Sequence, residues 1–263
     1  MPGTAPLSLV ITLGRSRGLV DCFEAPIAVL RRHAGRTPAF VVRTGGRGLA
    51  GIEQKPHARR FLLWREHAKL DHMAQLTLHT ERLRLVPLAD EHLQFEIELD
   101  SDPEVMRYLT GRALLPEEVE HAHRRRLAAA DEVPGLGFWV GFAEDEFVGW
   151  WILQPPHGPD QPRLAGEADL GYRLLRRHWR RGYASEGAKE LIRYGFEDVR
   201  LNRIFAQTMA VNAASRATLA AVGLTFTRAF VSDEPYDDLV RGAEQGEVEY
   251  ELTKTTWRYR GQR

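Results

Sequence analysis

From Leu76 onward the chain runs in short apolar–polar patterns whose period switches at turn-forming residues. Residues 80–87 alternate with period two, which predicts a half-buried strand. Asp90 is placed to cap a helix carrying Leu93, Phe95, Ile97 and Leu99. Asp102-Pro103-Glu104 opens a short helical turn, and Pro116 with Glu117 and Glu118 suits the first turn of a longer helix. Residues 138–142 and 147–153, separated by a four-residue polar connection, predict a β-hairpin. After a proline-rich loop, residues 167–174 read as a strand and 184–196 as a helix with Ala184, Ala188, Leu191, Ile192 and Gly195 on its apolar face. A strand over 203–209, a short helix over 215–221 stopped by Gly223, and strands over 225–231 and 248–252 follow. This succession predicts a mixed α/β domain.

Upstream of residue 73 the grammar is different. Residues 1–72 show no sustained periodicity and carry 12 Lys/Arg against 5 Asp/Glu, a net +7. The remaining 191 residues hold 24 basic and 31 acidic side chains, a net −7, so the overall charge of zero describes neither part. The expected division is therefore a basic, poorly ordered or non-native extension over 1–72 and a folded domain over 73–263. Met73 immediately precedes the regular region, which is the expectation if the first segment is an over-extended reading frame. The segment lacks the aromatic interleaving of a nucleic-acid-binding arm, and its apolar runs are too short for a signal peptide. No stretch of about 18 apolar residues exists to span a membrane, and the single Cys22 excludes an internal disulfide framework and a cysteine-rich zinc site.

The most informative stretch runs from Gly171 to Glu186, a strand end followed by a basic turn and a helix start. Unpaired N–H groups at such a turn converge on one point, and the helix dipole favours an anion there. Gly182 permits close backbone approach, and Arg176, Arg177, Arg180 and Arg181 add charge suited to a multiply phosphorylated ligand. Neither a P-loop nor a Gly-x-Gly-x-x-Gly motif is present, which argues against P-loop hydrolysis and Rossmann-type dinucleotide binding.

Asp169-Leu170-Gly171-Tyr172 and Trp179-Arg180-Arg181-Gly182-Tyr183-Ala184-Ser185-Glu186 resemble the acetyl-coenzyme A motif of the GNAT N-acetyltransferases, in particular the RimJ/RimL-like branch. Thr80 to Leu85, Asp102 to Leu109, Leu201-Asn202-Arg203-Ile204, Asn212-Ala213-Ala214-Ser215 and Gly223-Leu224 support it. The resemblance covers residues 76–258 and implies a mostly antiparallel, twisted sheet of six to seven strands, splayed at the cofactor site and flanked by about four helices. It implies acetyl-CoA as cosubstrate, with the pyrophosphate held by the turn at Arg180, Arg181, Gly182, Tyr183, Ala184 and Ser185, assisted by Arg176 and Arg177. A backbone N–H between Tyr172 and Leu174 would polarise the thioester carbonyl, and Gly171 suits a bulge that opens the sheet.

By the same resemblance, Ser215 is the candidate for stabilising the departing thiolate and Asn212 for ordering the pantetheine loop, although both are also good helix-capping residues. Two carboxylates compete for the role of base, Asp169 on the strand and Glu234, beside Asp233, in a later loop. Asp237 and Asp238 are candidates for holding a cationic acceptor. Glu186 reads as a helix-start acid and His178 as a turn residue. The implied activity is acetyl transfer to a primary amine, a protein N-terminus or a small cationic amine, by direct attack in a ternary complex. The alternative is a non-catalytic acyl-CoA sensor. No metal, nucleic acid or membrane is expected as a partner, the default location is the cytoplasm, and homodimers are common in the family.

Overall fold

A computed structural model describes residues 74–158, 161, 164–231 and 240–260. The basic segment 1–72, Met73, Asp233, Glu234, Asp237 and Asp238 lie outside the described residues. In chain order the elements are β1 (Leu78–His79), β2 (Arg84–Pro87), α1 (Leu93–Asp100), α2 (Pro103–Met106), α3 (Pro116–Glu132), β3 (Gly137–Ala143), β4 (Glu146–Gln154), β5 (Glu167–Leu174), α4 (Tyr183–Glu197), β6 (Arg203–Met209), α5 (Ala213–Ala221), β7 (Thr225–Phe230), β8 (Glu247–Thr253) and α6 (Lys254–Arg260). The strands make one sheet in the order β1-β2-β3-β4-β5-β6-β8-β7. Every neighbouring pair is antiparallel except β5–β6. This is the expected mixed sheet with one strand more, the two-residue β1.

Alternating side chains divide the core between two sheet faces. On one face, Trp139, Trp151 and Ile204 of the sheet are buried together with Leu191, Tyr194 and Phe196 of α4. On the other, Phe138, Val140, Phe147, Trp150 and Ile152 pack with Leu99 and Phe95 of α1. Helix α4 lies close to the sheet because Gly187 faces Trp151: a Cβ there would sit 2.4 Å from the indole.

Two local expectations change. Asp90 does not cap a helix; it lies inside a 3-10 turn (Asp90–His92) that follows Ala89, whose N–H donates to His92 Nδ1 at 3.0 Å. Gly171 makes no bulge either, because it sits opposite Ile152 in an uninterrupted β4–β5 ladder. The register shift falls between β3 and β4, where Gly141 pairs with Gly149 and Phe142 with Phe147, leaving Val148 as the extra residue. Gly149 is required there, since a Cβ would lie 2.2 Å from the carbonyl oxygen of Arg173.

Beneath α1 and α3 lies a buried charged chain that the polar pattern does not announce. Arg173 of β5 donates to Asp100 Oδ1 (2.5 Å), and Arg126 of α3 donates to Asp100 Oδ2 (3.1 Å) and to Glu96 Oε1 (2.5 Å). Glu96 also meets His123 Nδ1 at 2.5 Å. Glu96 and Asp100 are fully buried, and the guanidinium of Arg173 lies 4.7 Å from the Trp150 ring centre. Burial works against ionisation of Asp100, but Arg173 and Arg126 overcome it and hold its carboxyl below the ordinary range.

A charge with two buried partners is costly to remove. Asp100→Asn is expected to lower unfolding free energy by about 3–5 kcal/mol in urea titration. Because the folded pKa of Asp100 is depressed, its contribution is complete above the unfolded value of about 3.9 and is lost as pH falls through the folded one. The variant should lack that acid-side component of the stability–pH curve.

Candidate active site at the sheet opening

The β5–β6 ladder is short. Glu167 pairs with Arg203, Ala168 with Ile204 and Asp169 with Phe205, and there the pairing ends. Beyond it β5 stays with β4 through Leu174, while β6 stays with β8 through Met209. The two parallel strands therefore diverge at Asp169, leaving a wedge lined by the β6-facing backbone groups of residues 170–174. An extended chain laid in this wedge meets unpaired strand donors and acceptors, as an added strand would.

At the wide end of the wedge is the basic turn. Arg180 and Gly182 both have positive φ, 61° and 85°, and α4 begins directly after. A non-glycine residue in this region carries strain of order 1–3 kcal/mol, which points to a functional constraint. Among the described residues, the N–H groups of Arg180 to Ser185 have no hydrogen-bond acceptor; the first one paired is Glu186, to Gly182 O. Left-handed residues alternating before a helix start are a geometry that suits an anion. Glu186 closes the turn from behind, accepting from Thr80 (2.5 Å) and from the main chain (2.9 Å) and guanidinium (2.7 Å) of Arg82. Burial opposes its ionisation, but these donors hold its carboxyl below the usual range, so it acts as an anchor.

The four arginines divide by their partners. Arg176 pairs with Asp102 (3.2 Å), and Arg177 with Glu98 (2.7 Å) and Glu146 (3.0 Å), so their charge is spent tying the turn to α1, α2 and β4. Arg180 and Arg181 are exposed and, among the described residues, form no salt bridge. All four side chains stay exposed on the turn, two of them tied to neighbouring carboxylates. His178 is buried against the Tyr183 ring, and burial pushes its pKa below the ordinary imidazole value, as suits a packing residue. Trp179 donates to Leu174 O (2.8 Å), joining the turn to the strand end.

Side-chain alternation along β5 splits the remaining candidates between the two faces of the sheet. Tyr172 points toward α5, where its hydroxyl donates to Ser215 O at 3.2 Å. Burial pushes that hydroxyl's pKa up, with hydrogen bonding at Ser215 and Thr218 acting the other way, so it stays a proton donor. Asn212 caps α5 by accepting from Ser215 N–H at 3.1 Å. Asp169 points to the opposite face, and its Oδ2 lies 3.8 Å from His157 Nδ1 and 3.5 Å from Gln161 Nε2. Ser215 and Tyr172 are thus brought together, while Asp169 stands across the sheet at the vertex of the wedge. The sequence points to Tyr172 through its main chain; the contact of its hydroxyl with α5 and the approach of His157 and Gln161 to Asp169 emerge only in the fold.

Residues 82–225 match the family described as Acetyltransferase (GNAT) domain. The chain belongs to the GNAT acetyltransferase family. It is 44% identical over 187 residues to the FsC-acetyl coenzyme A-N(2)-transacetylase of Aspergillus fumigatus, covering 70% of this chain and 79% of that one. Among solved structures it is similar to an acetyltransferase from Agrobacterium tumefaciens (26% identity, TM-score 0.53, covering 69% of this chain and 96% of that one). It also shares its fold with RimL, a ribosomal L7/L12 α-N-protein acetyltransferase in complex with coenzyme A (14% identity, TM-score 0.57, covering 69% of this chain and 99% of that one). The protein is an acetyl-CoA-dependent acetyltransferase, and the GNAT wedge and turn described above fit an extended thiol arm with an anionic end. Among the described residues no helix is long and apolar enough to cross a membrane, and no group of three metal-ligating side chains occurs.

Gly182→Val forces a β-branched residue into the left-handed region and puts its Cβ within about 3.2 Å of the Arg82 guanidinium. Isothermal titration is expected to show CoA affinity about tenfold weaker, from a backbone cost of roughly 1–2 kcal/mol. An unchanged Kd would contradict the placement of the anion at this turn.

Proposed function

We propose that the protein transfers the acetyl group of acetyl-CoA to the primary amine of a small molecule, by direct attack within a ternary complex. The observation that carries this reading is the end of the β5–β6 ladder at Asp169, which puts a carboxylate on one face of the opening and the Tyr172–Ser215 pair on the other. The acceptor approaches from the α1/α3 side, where Asp169 takes the proton that the acceptor nitrogen gives up in becoming, or acting as, the nucleophilic amine. The main chain between Tyr172 and Leu174 supplies the N–H that steadies the developing oxyanion. Ser215 stands on the other face to stabilise the departing thiolate, and Asn212 and the Tyr172 hydroxyl hold that helix start in place. Arg180, Arg181, Gly182, Tyr183, Ala184 and Ser185 bind the pyrophosphate.

The N(2)-transacetylase named among the relatives favours a small-molecule amine over a protein terminus. A protein α-amino group, to which the RimJ/RimL-like motifs point, is the second acceptor class, and Glu234 is the alternative base. Thiol release from acetyl-CoA across a panel of small amines and N-terminal peptides tests the reading. Release is expected with small amines, and Asp169→Asn should lower kcat by about 10²–10⁴-fold with CoA affinity retained. Ser215→Ala should cost about tenfold in kcat, the worth of one hydrogen bond to a charged group. Measurable CoA binding with no release for any amine would favour the sensor instead.

A further inference from the structure

The connection between β1 and β2 reaches across to the basic turn through one side chain, Arg82. The connection itself is stiff. Thr80 N–H donates to Leu83 O (2.9 Å) and Leu83 N–H to Thr80 Oγ1 (2.8 Å), and Leu78, Leu83 and Leu85 around it are buried. From this base Arg82 makes three contacts that bracket Gly182. Its Nη1 donates to Arg181 O (3.0 Å), and its guanidinium carbon stands 4.6 Å from the Tyr183 ring centre. Its Nε (2.7 Å) and Nη2 (2.5 Å) both meet Glu186 Oε2. A Cβ on Gly182 would sit 3.2 Å from Nη2, so the guanidinium lies directly behind the glycine. Glu186 compensates the charge of Arg82, which leaves the group a geometric part to play.

That part follows from the planarity of the peptide unit. In a trans peptide the carbonyl of one residue and the N–H of the next point in opposite directions. Arg82 holds the Arg181 carbonyl toward itself, so the Gly182 N–H is turned away from Arg82, where it has no acceptor among the described residues. Gly182, at φ 85°, has no side chain to fix this plane by sterics. A plane turned over would put a carbonyl oxygen where the N–H stands and repel an anion there.

We propose that Arg82 is a positioning residue for the cosubstrate, locking the Arg181–Gly182 peptide with its N–H toward the pyrophosphate. The inference rests on the assignment of the pyrophosphate to the turn from Arg180 to Ser185. Arg82 acts from behind the turn, through Arg181 O, and holds the donor in place before CoA arrives, which lowers the cost of binding.

S-acetyl-pantetheine carries the same thioester and arm without the pyrophosphate, so it serves as the control. The test measures kcat/KM for acetyl-CoA and for S-acetyl-pantetheine, with the best amine of the panel, in wild type, Arg82→Met, Arg82→Lys and Gly182→Val. Arg82→Met keeps an apolar stem against Tyr183 and removes every donor. Arg82→Lys keeps the charge, but its ammonium lacks the planar fork that spans Arg181 O and Glu186 together. In both Arg82 variants the ratio of kcat/KM, acetyl-CoA over S-acetyl-pantetheine, should fall about tenfold, through KM for acetyl-CoA rather than kcat. Isothermal titration should show CoA affinity weakened by a similar factor, with no amine needed. A ratio unchanged in Arg82→Met would overturn the inference, as would equal losses with both thioesters, which mark a merely structural role. A ratio kept by Arg82→Lys and lost by Arg82→Met would overturn it too, in favour of charge alone. Gly182→Val with the wild-type ratio would instead remove the pyrophosphate assignment on which the inference rests.

Discussion

The site depends on where two parallel strands part. β5 and β6 share three residue pairs, and beyond them each strand is held by other partners. On the β5 side, Arg173 is drawn toward α1 by Asp100, and the bulge at Val148 lets Gly149 approach the Arg173 carbonyl too closely for any side chain. On the β6 side, seven consecutive pairings with β8 hold that strand in its own plane. The wedge between them is therefore a consequence of competing partners. A wedge built this way is preorganised: its donors are oriented before any ligand arrives, which lowers the cost of binding.

The charged chain from Arg173 through Asp100 and Arg126 to Glu96 and His123 has a second consequence. It fixes α1 and α3 over the face on which Asp169 stands, so that face is walled by elements locked to the strand that carries Asp169. The opposite face is fixed by Trp151 against Gly187 and by the Tyr172 hydroxyl on α5. Under the proposed roles, proton removal and thiol departure would take place on different sides of one sheet. Such separation lets an acid and a base coexist without neutralising each other.

Much of this was legible from local signals. Strand β5 and helix α4 were bounded within a residue because period-two and helical patterns meet at a basic turn ending in glycine. The charge of that turn was legible, but its division was not: Arg176 and Arg177 find Asp102, Glu98 and Glu146 only after folding. Non-local features escaped for the same reason. Nothing in residues 247–253 announces that β8 inserts between β6 and β7, and Glu96, Asp100 and His123 look like solvent-facing positions until Arg126 and Arg173 converge on them. Gly171 lies in the motif and suits a bulge, whereas the register shift falls one strand away, between β3 and β4 at Val148. His157 sits in a proline-rich loop with no periodicity, and its approach to Asp169 emerges only in the fold.

A crystal structure with CoA bound tests the central claim most directly. The account predicts the pantetheine arm between β5 and β6, hydrogen-bonded to the main chain of residues 170–174, with the pyrophosphate on the N–H groups of Arg180 to Ser185 and the sulfur at the narrow end of the wedge on the Ser215 side. A CoA lying outside the wedge, or a β5–β6 ladder zipped past Asp169 in the complex, would contradict it.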